Sequence, residues 1–397
     1  MHLDNRRNTT IDTPTLLKER GLGGEGGIYL HIPFCDTKCI YCDFYSITNH
    51  ENKNRFISSV LREIEYYSSS LRNHKFDTIF FGGGTPSLLP REDFEKIFES
   101  LYKNYSISKN SEITIEANPG TLTKEKLMEF RKLPINRMSF GVQSFIDTEL
   151  QFLTRIHTAD EAIKSVHAAQ DSGYDNVNID LIFALPGQTM EMWKYNLDKA
   201  IALNTKHISA YSLIFEEGTV LNNMKRLGKV KEADIDLETE MFDYTSEFFT
   251  SRGFEHYEIS NFAKPGFQCR HNLKYWQREE YISFGPSASS FVGNKRWTNI
   301  KNLLKYLESI ESGNEAKDFE EEIDDEKATT EFIFLGLRSK GIDVNKFNRQ
   351  FNINFKHKYL HSISSLVNNG YAKMESDIFR LTRKGYAISD EIAARYF

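Results

Sequence analysis

Apolar and polar positions follow two rhythms along this chain. Short runs dense in apolar and β-branched residues read as strands, and stretches with apolar residues three and four apart read as helices. Residues 28–32 form the first run. Residues 55–69 follow, with Phe56, Ile57, Val60, Leu61 and Ile64 at helical spacing, and residues 78–81 (TIFF) read as a buried strand. Further strands are predicted over residues 112–116 (EITIE), 137–141 (RMSFG), 176–181 (NVNIDL) and 207–213 (HISAYSL), each followed by a helical pattern. Over residues 158–170, Thr158 and Glu161 make a capping-box pair and Gly173 follows the end. Six strand-helix units in succession predict the α/β class, a parallel sheet with helices outside it. Six units are two short of the eight-stranded barrel. The expected form is therefore a curved, partial (β/α)6 barrel with an open side able to admit a large substrate.

The rhythm breaks at residues 315–326 (EAKDFEEEIDDE), which hold eight acidic residues with only Lys317 in opposition. Such a run reads as a solvated connector. It divides an N-terminal segment (1–26) and a barrel with an extension (27–314) from a C-terminal unit (327–397). That unit shows helical patterns around residues 332–337 and 360–367. Two short apolar runs at 371–374 and 378–381 then predict a hairpin turning around 375–377. Helices followed by a hairpin suggest a small winged-helix-like α+β domain.

With 397 residues, 40% of them apolar, the chain can bury a large core. No run approaches the roughly 18 apolar residues of a membrane span. The first 25 residues are polar, carry Arg6, Arg7, Lys18 and Arg20, and lack an apolar core, so no secretory signal is read and a cytoplasmic location is expected. Net charge is −6, yet residues 327–397 hold twelve Lys/Arg against six Asp/Glu. Nucleic-acid binding is one reading of that basic tail, but its cations are scattered and form no basic recognition helix. Peripheral contact with an anionic membrane surface fits the same charge.

The chemistry concentrates just after the first strand, where Cys35, Cys39 and Cys42 lie within eight residues of one another. Few cysteines in an intracellular chain weigh against a disulfide. Structural zinc wants four ligands, and no fourth Cys or well-placed His is near. Three thiolates on a four-iron cluster leave one iron open to bind and reduce something. One unit later Gly82, Gly83, Gly84, Thr85 and Pro86 follow a buried strand, a glycine-rich loop whose backbone can approach a ligand or simply make a tight turn. Glu116 ends the third strand, Gln143 lies at the end of the fourth with Arg155 and His157 beyond it, and Asp180 is an acid inside an otherwise apolar run. A buried acid needs a partner, either a ligand or a structural salt bridge. Residues 271–276 read His271, Asn272, Leu273, Lys274, Tyr275, Trp276. A neutral imidazole suits haem iron and flanking aromatics suit a porphyrin face, while the plain alternative is a hydrogen-bonded core histidine. Cys269 reads as a small buried residue or an auxiliary haem contact.

Taken together, the C-x3-C-x2-C run and the GGGTP loop resemble the radical S-adenosylmethionine superfamily, and the landmarks in order are similar to the family containing oxygen-independent coproporphyrinogen III dehydrogenase and the haem chaperones. The resemblance runs from Gly27 to the carboxyl terminus. It implies a [4Fe-4S] cluster on Cys35, Cys39 and Cys42, with S-adenosylmethionine on the open iron. Contacts to that cofactor would come from Tyr29, Tyr41, Gly83, Gly84, Thr85, Glu116, Gln143, Arg155 and Asp180. The dehydrogenase pattern continues to a fourth cysteine where this chain has Phe44. That difference puts oxidative decarboxylation of porphyrinogen propionates to vinyls in doubt and leaves the catalytic residues unassigned. The hexapeptide at 271–276 looks like the haem-chaperone motif, which implies haem as cargo held on a separate surface at His271, Tyr275 and Trp276. The implied partners are recipient haem apoproteins, membrane respiratory proteins among them, with dimerisation left open.

Overall fold

The computed structural model describes residues 25–397; the leader expectation, and all but the last two residues of the N-terminal segment, lie outside them. Six strands, β1 (Gly26–Ile32), β2 (Lys75–Gly83), β3 (Ser106–Ala117), β4 (Arg137–Gln143), β5 (Asn176–Phe183) and β6 (His207–Ser212), pair parallel in sequence order. Helices alternate with them: α1 (Lys53–Ser68), α2 (Arg91–Asn104), α3 (Lys124–Phe130), α4 (Asp147–Phe152), α5 (Ala159–Asp171) and α6 (Met190–Ala202). An order with no reversal is that of a barrel, and among the described residues neither end of this sheet pairs with a further strand, so the barrel they form is open. The capping box at Thr158 and Glu161 is present, and Gly173 takes φ +89° beyond the helix end.

The strands are two-faced because side chains alternate along them. On the outer face Ile28, Leu30, Ile32, Ile79, Phe81, Ile113, Ile115, Met138, Phe140, Val177 and Ile179 join one core with Phe56, Ile57, Val60 and Ile64 of α1. Each such side chain contributes roughly 1.5–3 kcal/mol on full burial. The inner face carries Tyr29, His31, Thr78, Glu112, Glu116, Arg137, Ser139, Asn178, Asp180, His207 and Ser209. A packed hydrocarbon layer thus holds a polar lumen in shape.

The sheet has twelve strands rather than six. After α7 (Val220–Arg226) and α8 (Ile235–Thr250), β7 (Glu255–Glu258) and β8 (Asn261–Ala263) extend it antiparallel beyond β6. Past α9 (Arg270–Trp276), β9 (Tyr281–Phe284) pairs parallel with β1. β10 (Ser289–Val292) and β11 (Lys295–Asn299) continue outward, and α10 (Leu303–Glu311) packs on α1. The acidic run at 315–326 is not a connector. Lys317–Glu322 forms β12, antiparallel to β11, where Lys295 and Arg296 face Glu320 and Glu321 at 3.5 and 3.2 Å. Cross-strand cations there compensate a charge density that reads in isolation as solvated loop.

From α11 (Asp325–Leu337) onward a second core gathers Phe332, Ile333, Leu337, Phe347, Phe355, Leu366, Phe379 and Leu381. Its three-stranded sheet has the order β13 (Ile342–Asp343), β15 (Ile378–Leu381), β14 (Ala372–Glu375). Ser376 and Asp377, both at positive φ, turn the hairpin. Several of the basic side chains here are ion-paired, Lys356 to Asp377, Arg338 to Asp390 and Arg383 to Asp243.

Candidate functional site at the carboxyl ends of the strands

The loop after β1 is tied down at both ends. Cys35 N donates to Ile47 O at 2.9 Å and Ile47 N to Pro33 O at 2.8 Å. In between, Ile40 N donates to Thr154 Oγ1 at 3.1 Å, and Leu221 N on α7 donates to Ile40 O at 2.9 Å. Three thiols are therefore presented on a loop braced from two directions.

The glycine loop after β2 closes on the cysteine loop directly. Gly84 N donates to Ile32 O at 2.7 Å and Thr85 N to Phe34 O at 2.8 Å. A Cβ on Gly84 would stand 2.7 Å from Phe34 O and 2.8 Å from Ile32 O, and one on Gly83, at φ +104°, would meet the His31 ring at 2.5 Å. These glycines are demanded by loop-on-loop packing.

A polar relay then joins four loops. Thr85 Oγ1 lies 3.4 Å from Cys35 Sγ and accepts from Asn118 Nδ2 at 2.8 Å. Arg155 donates through Nη2 to Asn118 Oδ1 at 2.6 Å and Gly141 O at 2.8 Å, and through Nη1 to Cys39 Sγ at 3.4 Å. Burial pushes the Cys42 thiol up to about 11 and raises Cys35 too. A free thiol there holds its proton, and only a cation or metal would make the thiolate. Tyr41, on the same loop, is also raised by burial, with Arg155 opposing. Among the described residues no three His, Cys, Asp or Glu side chains converge as a single metal ion would need. A multi-iron cluster, in which each thiolate takes its own iron, makes no such demand.

Deeper in the lumen stand two acids. Glu116 Oε2 accepts from Gly83 N at 3.2 Å; burial, then Asp180, push its carboxyl up to about 8. Asp180 is raised by burial and accepts from Asn178 Nδ2 at 2.8 Å. Behind it a chain runs through Asn178 Oδ1 to His207 Nδ1 at 2.6 Å, and from His207 Nε2 to the Tyr257 hydroxyl at 2.6 Å. Gln143 adopts φ 68° at the end of β4, beside Gly141. Strands β1 to β5 and the loops after them carry the residues from Tyr29 to Asp180 expected to hold a cofactor, and Asn118 joins Thr85 to Arg155 among them.

The hexapeptide at 271–276 is arranged otherwise than expected. It forms α9, which begins on the Glu112 carboxylate, where Arg270 N and His271 N both donate at 3.1 Å. His271 is 1% exposed. Its Nδ1 lies 2.8 Å from Thr78 Oγ1 and its Nε2 2.8 Å from the Tyr275 hydroxyl, while its ring stacks on Phe80 at 5.1 Å. Burial lowers it to about 3, a neutral imidazole. The separate haem surface around His271 is therefore corrected to a core position. Nor do Tyr275 and Trp276 share a face, because neighbours on a helix point about 100° apart. Tyr275 lines a cavity of about 320 Å³ with Tyr29, His31, Asp43, Phe44, Tyr45, Tyr281, Ser287 and Ser289. Trp276 instead faces Arg338, 5.9 Å from its ring. Cys269 is fully buried against Glu112, with burial raising its thiol to about 12.

Comparison with known proteins places this arrangement. Residues 29–200 match the radical SAM superfamily and residues 323–388 the HemN C-terminal domain. The chain is 34% identical to heme chaperone HemW of Lactococcus lactis subsp. lactis (strain IL1403), over 93% of this chain and 96% of that one. It is 32% identical to heme chaperone HemW of Bacillus subtilis (strain 168), over 92% and 97%. In fold it is similar to coproporphyrinogen III oxidase (HemN) from Escherichia coli, with a TM-score of 0.80 at 21% identity, covering 93% of this chain and 89% of that one.

Proposed function

Because the chain belongs to the HemW family of heme chaperones, we propose that it binds haem and delivers it to recipient haem proteins, with a [4Fe-4S] cluster and S-adenosylmethionine at the mouth of its barrel. The observation that carries the reading is the braced three-thiol loop opening beside an aromatic-walled cavity. Cys35, Cys39 and Cys42 would hold the cluster, which when bound supplies a site for low-potential electron transfer to the cofactor. Arg155 keeps one hydrogen-bond donor on Cys39 and so orients that sulfur. Glu116 and Asp180, two neighbouring carboxyls that burial disfavours as anions, offer a site for a ligand carrying ammonium or sulfonium charge and ribose hydroxyls, a cation that would draw the proton off Glu116. Thr85, Gly83, Gly84 and Gln143 position those loops, and Tyr29 and Tyr41 wall them. The recipients fit haem apoproteins, including respiratory proteins of the membrane. No helix of the described residues is long and apolar enough to cross a membrane.

Phe44 supports the chaperone over porphyrinogen decarboxylation, since a phenyl ring stands where the dehydrogenase pattern has a fourth thiol. Anaerobic titration of the reconstituted protein with haem tests the reading. A stoichiometric Soret shift with no conversion of coproporphyrinogen is expected. Absence of specific haem binding together with appearance of vinyl product would reverse the assignment.

A further inference from the structure

We infer that Glu149, a buried carboxylate outside the expected cofactor contacts, is the positioning residue that holds the loops after β4 and β5 in the strained forms that place Gln143 and Arg155; the inference rests on the cluster and S-adenosylmethionine reading above.

Gln143, Thr154 and Ala184 stand at φ 68°, 56° and 59°. A residue with a side chain is disfavoured in this left-handed region and stays there only where its surroundings fix it. At Gln143 the turn is tighter still, because Ser144 N donates to Val142 O at 2.9 Å across a single residue, a rare γ-turn. A Cβ on Gly141 would stand 2.8 Å from Gln143 Nε2 and 3.4 Å from Arg155 Nη2. The turn therefore folds the Gln143 amide back over Gly141, on the side the Arg155 guanidinium occupies.

Glu149 lies on α4 and is 5% exposed. Its Oε2 accepts from Ser144 Oγ and from Asn196 Nδ2, the latter at 3.0 Å, and its Oε1 accepts from Gln188 Nε2 at 2.9 Å. Ser144 follows the γ-turn directly, and Asn196 Oδ1 takes Phe145 N at 2.6 Å. Gln188 belongs to the loop that Ala184 opens, where its backbone N donates to Leu185 O at 2.9 Å. One carboxylate thus fixes both loops. Its own backbone serves the third strained residue, since Leu153 N donates to Glu149 O at 3.0 Å and Arg155 N to Leu150 O at 2.9 Å, on either side of Thr154. Thr154 Oγ1 in turn holds Ile40 N of the cysteine loop. A carboxylate only accepts, so it satisfies all three side-chain donors at once; a carboxamide of the same shape turns an N–H₂ toward some of them.

The rival role for such a network is fold stability alone. Two variants separate the roles. Glu149→Gln leaves donor facing donor, whereas Glu149→Gln combined with Gln188→Glu matches them again, because the relocated carboxylate accepts from the new amide and the amide carbonyl keeps Ser144 and Asn196. The reconstituted proteins are compared by iron and sulfide content, by equilibrium dialysis of S-adenosylmethionine, and by electron paramagnetic resonance of the reduced cluster before and after that cofactor is added. Glu149→Gln should keep the iron and sulfide of the wild type, bind S-adenosylmethionine roughly tenfold or more weakly, and show a diminished change of the cluster signal on its addition. The double exchange should restore both. Wild-type affinity and cluster response in Glu149→Gln, with only its urea midpoint lowered, would overturn the assignment in favour of fold stability. A double exchange as weak as the single one would overturn it as well, since matched donors would then not matter. Should Glu149→Gln fail to fold, Ser144→Ala, which removes one donor and leaves the carboxylate, reads the same two quantities; a smaller loss is expected, and wild-type values again count against the assignment. A wild type that takes up no iron, or whose cluster signal ignores S-adenosylmethionine, would sink the underlying reading instead.

Discussion

Arg155 and Glu116 show how single side chains define the mouth of the barrel. Arg155 ties Cys39, Asn118 and Gly141 together, so its loss unlinks loops from three strands. Cys39→Ala removes only a half-exposed thiol and should abolish the cluster's visible absorbance while leaving the melting temperature within a few degrees; unchanged iron and sulfide content would refute the three-thiol assignment. Gly84→Ala drives a methyl into two backbone carbonyl oxygens and is expected to cost roughly 2–4 kcal/mol, measured by urea unfolding. Glu116 gives a pH dependence. Its carboxyl is raised from 4.5 to about 8, so in that window the folded chain keeps a proton the unfolded chain has released. Folding then binds more protons, and stability falls as pH rises from about 4.5 to about 8, levelling above. The shift corresponds to a few kcal/mol at most, on the order of 1.4 per unit. Glu63 and Glu258, raised to about 7 by burial, contribute with the same sign, and His31, His157, His256 and His271, lowered by burial, with the opposite sign. The Glu116 contribution is therefore read as a difference: between about pH 5 and about pH 9 the urea midpoint of Glu116→Gln should fall less, or rise more, than that of the wild type.

At the scale of elements, α9 is a seven-residue helix that propensity alone would not hold. Its start depends on Glu112, which accepts two backbone N–H groups across the lumen. Glu112→Ala should cost about 1–2 kcal/mol and raise hydrogen exchange at residues 270–276 before the rest of the sheet, as mass spectrometry would register. The six parallel strands were legible because inner and outer faces alternate, as in NVNIDL, and that period survives any tertiary detail. For His271 the hydrogen-bonded core histidine was one of two readings, and nothing in HNLKYW chooses it, because Thr78, fixed on a distant strand, takes its Nδ1. β12 was not legible, since a strand stabilised by cations on its neighbour has no apolar alternation of its own. Asn118 was not singled out, although it stands just past the carboxyl end of β3 as Gln143 stands at the end of β4, and that position was the available signal.

Across the whole molecule, the C-terminal unit grips the barrel extension through mixed contacts, among them Glu331 paired with Arg278 and Arg296 and an apolar cluster of Phe291, Ile323 and Ala328. Ile259 N donates to Arg338 O at 3.0 Å, Tyr386 stacks on His256 at 5.4 Å, and Arg383 meets Asp243 and Glu247 at 2.9 and 3.1 Å. The Arg383 pairs are exposed and should be worth under about 1 kcal/mol. Arg338 also covers Trp276 at 5.9 Å, so the unit touches the same short helix whose other side borders the cavity. A sheet with free ends must also keep a second molecule from continuing it. At the β12 end, KDFEEE sets carboxylates on both faces of the last strand, so a like strand laid alongside would meet charge with charge. Self-association through this edge is thus expected to depend on ionisation at one border. Replacing Asp318 and Glu322 with Thr, or acidifying the wild type, should make light scattering climb well before circular dichroism reports unfolding.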